Sequence, residues 1–570
     1  MKLTKCLATV VVACPLFAAQ PKIHSELADV PSGDVVRVIV QYRNTIDEMK
    51  QHRIAAIGGQ MHHRLDLVRA HAISVRASEL EKLAADPDVE SITLDHPLTA
   101  SLDTAAAAVN ASAAWTANKI GTGIGVAVID SGVSAHNDLN GRIVYNQDFT
   151  GEGQNADLYG HGTHVAGIIA GNGAMSTGGN NFKTFKGLAP GVNIINLRAL
   201  NSQGTGTDSS VIAAIQQAIK LKTQYNIRVM NLSLGRPITG SYANDPLCQA
   251  VESAWKAGIV VVVSAGNYGR TTNGGVDGYG TITAPGNDPY VITVGAMKTM
   301  GTPSRNDDLI ASYSSKGPTV YDHIVKPDLV APGNLIHSAL TQNLTSAGLY
   351  MTYPSTEFSC TYYQTSCGTG MSQNYYMLSG TSMAAPMVSA AAAILIGANP
   401  NLTPDQVKAR LMKTAYKSFP ASSTVATGGT SYTSYYDVFT VGAGYLDIQA
   451  ALANTDLASG NALSPSLAYN SNTDTGTLSF FSGSAFQSSG TFGSAIIWGA
   501  GKFVNGSAII WGTSTPWANA VIWGASGPNA FAVIWGAGTN GPVNSTAVIW
   551  GSAFQPGTMT PMIAVLTKGE

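Results

Sequence analysis

The chain has 570 residues, with 32 Lys and Arg against 34 Asp and Glu for a net charge of −2, and only 12% of its residues are charged. That balance excludes the electrostatic footprint of a nucleic-acid binder or an anionic-membrane binder. At this length more than one domain is expected, and 61 Gly together with abundant Ser, Thr and Ala suit a loop-rich, non-cytosolic protein.

Lys2 and Lys5 precede an apolar stretch from Leu7 to Ala19. This predicts a secretory signal over residues 1–19, too short to span a bilayer. Val11-Val12-Ala13-Cys14 also fits a lipoprotein processing box, which would anchor the mature protein through a lipid on Cys14. Apolar residues continue beyond Cys14, which favours ordinary secretion. No other run reaches transmembrane length, so no integral membrane span is expected.

Residues 21–98 read as a small separate domain. Val35 to Tyr42 and Val89 to Leu94 have strand composition, and Ser78-Glu79-Leu80-Glu81 has the form of a capping box opening a short helix. Six of the 11 histidines, His24, His52, His62, His63, His71 and His96, precede residue 100. A solvated surface cluster is the preferred account, and a pH-sensitive interface is the alternative. Residues 99–112, rich in Ala, Ser and Thr, are expected to form an accessible processing linker.

From 113 to 453, strands are expected at Ile124–Asp130, Val192–Leu197, Ile227–Leu232, Gly258–Ser264 and Val291–Val294. They alternate with helices near His161, at Asp208–Tyr225, Asp245–Lys256 and Ser382–Ile396, and one begun by Thr403-Pro404-Asp405-Gln406. Such alternation predicts an α/β domain with a mostly parallel sheet and helices on both faces. Asp130 closes a β-branched run, at the end of a strand where catalytic groups collect in open sheets. His161 opens Gly160-His161-Gly162-Thr163-His164, and an imidazole titrates near neutrality, as a proton shuttle requires. His164 has no accompanying metal-ligand pattern and reads as structural. Ser382, in Ser379-Gly380-Thr381-Ser382-Met383-Ala384-Ala385-Pro386, stands just before an apolar helix, where free N–H groups and the helix dipole favour an oxyanion. Pro386 falls early in that helix, where a missing N–H costs little. Carboxylate, imidazole and hydroxyl thus follow in the order Asp…His…Ser.

Of five cysteines, Cys6 and Cys14 would leave with the signal. Cys360 and Cys367, in a Tyr- and Ser-rich insertion before Ser382, are candidates for a small-loop disulfide in an oxidising compartment. Cys248, at a helix start capped by Asp245, is expected to be a buried free thiol. Residues 454–490 read as a linker, and a truncation near Gly460 is expected to spare the preceding domain. Beyond it, Ala-Ile/Val-Ile-Trp-Gly recurs five times with tryptophans at 498, 511, 523, 535 and 550. Over 491–570 these bursts predict short strands stacking as a β-rich repeat, with Trp523 and its counterparts in a stacked core.

The three segments around Asp130, His161 and Ser382, with Ser264-Ala265-Gly266-Asn267, resemble those of the subtilisin-like serine endopeptidases, the subtilase family. The resemblance implies a subtilisin-like α/β fold and assigns Asp130, His161 and Ser382 to a catalytic triad. It makes Asn267 the side-chain oxyanion donor, with Ala265 and Gly266 beside the substrate. Asn231-Leu232-Ser233-Leu234-Gly235 looks like one wall of the primary specificity pocket. Leu200 to Gly206, with Gly204 and Gly206, looks like the edge segment that pairs with substrate backbone. Tyr268 stands where the family commonly carries a small or charged residue. Residues 21–98 look like the family's propeptide, a ferredoxin-like α+β unit acting as an intramolecular inhibitor until self-cleavage. His136-Asn137-Asp138 is similar to a calcium-binding segment, so Asp138 is a candidate calcium ligand, with a solvated carboxylate as the alternative. No cofactor is required by the chemistry. Protein or peptide substrates, a secreted monomer and no nucleic-acid partner are expected. The competing reading is a surface or matrix-binding protein working through the Trp-Gly repeats on an inactive protease fold.

Overall fold

The structure, a computed structural model, describes residues 22–23, 27, 30–66, 69–94, 102–271, 278–343, 345–368, 370–427, 429–470, 475–486 and 565–568, with strand fragments at 508–509, 521–522, 532–534 and 547–549. Two units divide the chain, Met1–Leu98 and Thr99–Glu570.

The first unit runs β1 (Val35–Tyr42), α1 (Glu48–Ala56), β2 (Gln60–Leu65), β3 (Ala70–Arg76), α2 (Leu80–Ala84) and β4 (Val89–Leu94). Its sheet order is β2–β3–β1–β4 with every pair antiparallel, the split β-α-β arrangement. The inward residues Val36, Val38 and Val40 of β1 meet Ile54, Ile73, Leu80, Leu83 and Ile92 in a core of its own. Ser78 does not cap α2. The chain first makes a 3₁₀ turn over Ala77–Glu79, and α2 then starts without a side-chain cap. The turn carries Ser78 past the half-helical position from which its hydroxyl could reach a free N–H.

His71 is fully buried on β3, with Nδ1 3.4 Å from Tyr42 Oη. Burial, and secondarily the charge of Arg64, hold its pKa below the ordinary value. The folded unit therefore keeps His71 neutral, while the unfolded chain takes up a proton below about pH 6.5. Stability from this site is complete above that pH and is lost as pH falls toward the folded value. The urea midpoint of residues 21–98, followed by circular dichroism, is expected to drop between pH 7.5 and 5.5, and His71→Gln should flatten the difference. His52 is exposed, and His62 Nε2 lies 2.7 Å from Ser74 Oγ. His24, His96 and the His63 side chain fall outside the described residues.

The second unit opens with α3 (Leu102–Ala108) and α4 (Ala111–Thr116). Residues 102–112 were expected within an accessible linker, but Ala105, Ala108, Val109 and Ala111 are buried in the main core. The alanine run that looked like a spacer has the highest helix propensity of any composition, and its small side chains pack closely.

The central sheet follows: β5 (Gly125–Asp130), β6 (Ile143–Asp148), α5 (His161–Ala170), β7 (Asn193–Arg198), α6 (Asp208–Leu221), β8 (Ile227–Leu232), α7 (Pro246–Lys256), β9 (Val260–Ser264), β10 (Ile292–Lys298), β11 (Leu309–Ile310) and β12 (Leu329–Pro332). The strand order is β11–β10–β9–β8–β5–β7–β6, with β12 also paired to β10. All pairs are parallel except β10–β11. From β5 the chain fills one side through β6 and β7, then crosses to the other through β8, β9 and β10. The carboxyl end of β5 is thus the topological switch point, where open sheets leave a crevice. Every residue of β5 is buried, as expected of a parallel strand covered on both faces.

Next come β13 (Ile336–Ala339), α8 (Leu349–Thr352), β14 (Tyr375–Leu378), α9 (Thr381–Ala398), α10 (Pro404–Thr414), β15 (Ser422–Thr427), β16 (Thr430–Tyr435), α11 (Val438–Val441) and α12 (Ile448–Ala453). α9 packs on β8, β9 and β10 and against α5. It is the one described helix long and apolar enough to cross a membrane, and it is mostly buried inside the protein. Cys360 and Cys367 are joined in a disulfide, and Cys248 is buried and free. Burial drives the Cys248 thiol pKa far above the ordinary range.

Over its described part, 454–486 is not a linker. It forms the hairpin β17 (Ser466–Asn470) and β18 (Thr475–Ser479). Ala458, Ala462, Leu467, Ala485 and Phe486 join Val325, Ala409, Met412 and Phe439 in a second core. Ser464 Oγ is held by Lys408 Nζ at 2.8 Å and Asp328 Oδ1 at 2.5 Å. A cut near Gly460 would therefore remove part of this core. The apolar residues are too widely spaced to show periodicity, so the stretch reads as polar.

In the repeat region the described fragments are β19 (Ala508–Ile509) antiparallel to β20 (Val521–Ile522), and β21 (Ala532–Ile534) parallel to β22 (Ala547–Ile549). All five repeat tryptophans, Trp523 among them, lie outside the described residues. The chain is described again at 565–568, a short helical turn.

Candidate active site

Asp130 ends β5 and His161 begins α5. His161 Nδ1 lies 2.7 Å from Asp130 Oδ1 in a buried pair. A carboxylate only accepts, so Nδ1 carries the proton and Nε2 is left as the free base. Gly162 permits this approach: a Cβ there would stand 2.1 Å from the Gly132 carbonyl oxygen and 3.1 Å from Asp130 Cβ. Burial pulls the His161 pKa down, but the charge and hydrogen bond of Asp130 outweigh it and leave the value raised.

The pair is held by residues that sequence reading did not single out. Asp157, fully buried, accepts from Ser131 Oγ (2.8 Å), Gly160 N (2.7 Å) and Thr163 N (2.7 Å), and so satisfies the N-terminus of α5. Burial raises its pKa. Ser131 donates its N–H to Asp130 Oδ1 at 2.7 Å, and its Oγ receives Gly162 N–H at 2.9 Å. Arg198, also fully buried, donates to Ser131 O at 3.1 Å and pairs with Asp148 and Glu152. An aspartate four residues before the histidine was the only available signal.

Ser382 is the second residue of α9, two positions beyond the N-cap Gly380, and not at the helix boundary where it was expected. Pro386 accordingly lies inside the helix rather than in its first turn. It has no N–H to give the Ser382 carbonyl four residues back, and Ser233 Oγ supplies that bond instead at 2.8 Å. Ser382 Oγ in turn donates to Ser233 O at 3.2 Å. No hydrogen bond joins His161 to Ser382 in this conformation, as is common before substrate tightens a site. Removing the Ser233 hydroxyl would leave a carbonyl unsatisfied, at a cost of ~1–3 kcal/mol.

Asn267 follows β9 by three residues. Its Oδ1 accepts from Thr381 N (2.9 Å) and Thr381 Oγ1 (3.0 Å). Only the carbonyl end can accept an N–H, so Nδ2 is left as the donor. Gly380, at φ 149°, clears the way: a Cβ there would sit 3.0 Å from Asn267 Nδ2. Thr381 Oγ1 also accepts from Gly266 N at 3.1 Å.

Leu232, Ser233, Leu234 and Gly235 leave β8 beside Ser382. Ala265 and Gly266 flank it from β9, tied across by Thr283 N–H to Ala265 O at 3.1 Å. A Cβ on Gly235 or Gly266 would strike Thr283, so the two segments converge on that side chain. Gly204 lies in a turn closed by Asn201 N–H to Thr205 O at 2.8 Å, against the Tyr159 ring, with Gly206 just beyond. In the free protein this segment forms a turn.

Asp138 is buried and not a solvated carboxylate. It is 1% exposed, with Oδ1 accepting from Met175 N at 2.8 Å and Oδ2 from Tyr375 Oη at 2.7 Å. Among the described residues no three His, Cys, Asp or Glu side chains gather to hold a metal. His164 Nε2 bonds Ile336 O at 2.9 Å, and burial pushes its pKa down to about 3.

The sequence profile of the Subtilase family matches residues 121–456. Serine protease AprX of Bacillus subtilis (strain 168) is 37% identical over 358 residues, 60% of this chain and 74% of that protein. Subtilisin DY of Bacillus licheniformis is 34% identical over 333 residues, 58% of this chain and 91% of that protein. Among solved structures, a cold adapted subtilisin-like serine proteinase is 30% identical, covering 52% of this chain and 84% of its own, with a TM-score of 0.37.

Proposed function

This chain belongs to the subtilase family and is a serine-type endopeptidase, and from that premise we infer that Asp130, His161 and Ser382 carry peptide-bond hydrolysis in protein substrates. The observation that carries the reading is the buried Asp130–His161 hydrogen bond of 2.7 Å at the switch point of the sheet. Ser382 Oγ turns from Ser233 O to His161 Nε2, loses its proton there and attacks the scissile carbonyl. His161 gives the proton to the leaving amine, and water repeats the sequence on the acyl-enzyme. Asp130 keeps the imidazole in its tautomer and offsets the charge it gains. Asn267 Nδ2 and the Ser382 N–H stabilise both tetrahedral oxyanions.

The signal segment and the α+β unit of residues 21–98 support a secreted zymogen whose first unit acts as inhibitor. With residues 102–112 packed as helices, processing is expected before Leu102, and N-terminal sequencing of the mature protein locates it. A serine-directed fluorophosphonate should label the mature protein once, at Ser382 by peptide mapping. Labelling elsewhere, or none, would remove the assignment. Asn267→Ala is expected to lower kcat by about 10²–10³, the scale established for the oxyanion asparagine of a subtilisin, with KM for a tetrapeptide nearly unchanged.

A further inference from the structure

Four consecutive amides lead into Ser382. Ser379 N–H donates to Leu566 O at 2.8 Å, Gly380 N–H to Gly333 O at 2.7 Å, and Thr381 N–H to Asn267 Oδ1 at 2.9 Å. The fourth, Ser382 N–H, has no acceptor among the described residues and is the one the reaction uses. Three anchors thus fix the direction of the fourth amide, and the first of them comes from the far C-terminal end of the chain.

That end is seated, not merely adjacent. Val565 is 6% exposed and belongs to the main core, Leu566 packs against the same core, and Thr567 is 2% exposed. Ser379 is 1% exposed, so without Leu566 its N–H would be buried and unpaired. Only Ser379 and Gly380 separate the end of β14 from the start of α9. Ser379 Oγ is also fixed, accepting Leu335 N–H at 2.8 Å. A rotation of the Ser379 peptide would therefore pass directly into the Thr381 and Ser382 amides.

We propose that residues Val565–Lys568 are a positioning segment for hydrolysis, whose Leu566 carbonyl holds the approach to Ser382 in the geometry that aims its amide at the oxyanion. The proposal rests on the catalytic reading above. The segment touches no reacting atom and acts through Ser379. A substrate still meets intact walls at Leu232–Gly235 and Ala265–Gly266, so the effect falls on turnover and not on binding.

The test removes residues 565–570 from the otherwise full chain and measures tetrapeptide hydrolysis, with reactive sites counted by fluorophosphonate titration. Misplacement of a catalytic group by about 1 Å costs ~10²-fold, and loss of one of three anchors is expected to cost about tenfold in kcat per titrated site, with KM nearly unchanged. A synthetic peptide of residues 561–570 should restore kcat when added, and the same peptide carrying Val565→Asp should not. Val565→Asp in the full chain should reproduce the loss, which keeps the test open if the shortened protein fails to fold. Full kcat per titrated site in both variants would overturn the proposal. So would a loss of activity accounted for entirely by fewer titratable sites, or a fully active mature protein whose mass under native conditions lacks residues 565–570. Absence of a titratable serine in the unaltered chain would instead sink the catalytic reading itself.

Discussion

Ser382→Ala should lower hydrolysis of a tetrapeptide substrate on the order of 10⁶-fold, the scale on which subtilisin itself responds to loss of its serine. The precursor should accumulate uncut, because self-processing needs the same hydroxyl. The structural cost is small. Ser382 Oγ gives up one bond, to Ser233 O, while Ser233 Oγ still donates to the Ser382 carbonyl and α9 remains buried. An unchanged thermal midpoint beside lost turnover is the expected pair of results. Residual casein cleavage by the purified variant, with contaminating protease excluded, would mean that another residue is the nucleophile.

Asp130→Asn is expected to cost about 10⁴ in kcat, through the wrong imidazole tautomer rather than through misfolding. An amide can turn its NH₂ toward Nδ1, which leaves Nδ1 unprotonated and puts the proton on Nε2, where the base is needed. The pH profile supplies an independent readout. With His161 raised, the neutral base is lost as pH falls through a value above the ordinary imidazole range, so the acidic limb of kcat/KM lies high. Removing the carboxylate charge leaves burial as the main influence, and the limb should move to lower pH. An unmoved limb would mean that the titrating group is not His161.

The strands of the central sheet were legible because burial on both faces demands unbroken β-branched runs, as in Gly125–Asp130 and Val260–Ser264. Where one or both faces meet solvent, the signal fades. β6 reads Ile-Val-Tyr-Asn-Gln-Asp with intermediate exposure, and the β15–β16 hairpin is nearly all Ser, Thr and Tyr. Their pairing is carried by backbone hydrogen bonds, which composition does not reveal. The same limit applies at the site. Asp130, His161, Asn267 and Ser382 sit in distinctive local contexts. Arg198 and Leu566 matter through contacts between distant segments, and nothing local marks them; Asp157 and Thr381 are marked only by their nearness in sequence to His161 and Ser382. Ser78 shows the converse failure, a local capping pattern overridden by the turn that precedes it.

Phe486 sits in the second core and Val565 in the main one, both within the unit Thr99–Glu570. The chain on either side of the repeats thus runs into buried residues. Covalent continuity and cohesion are separate properties of such an arrangement. One nick anywhere in 487–564 would yield two polypeptides in denaturant, and their co-elution in native buffer would report whether residues 565–568 stay seated. A cut in the tract would break covalent continuity without itself touching the Ser379–Leu566 hydrogen bond.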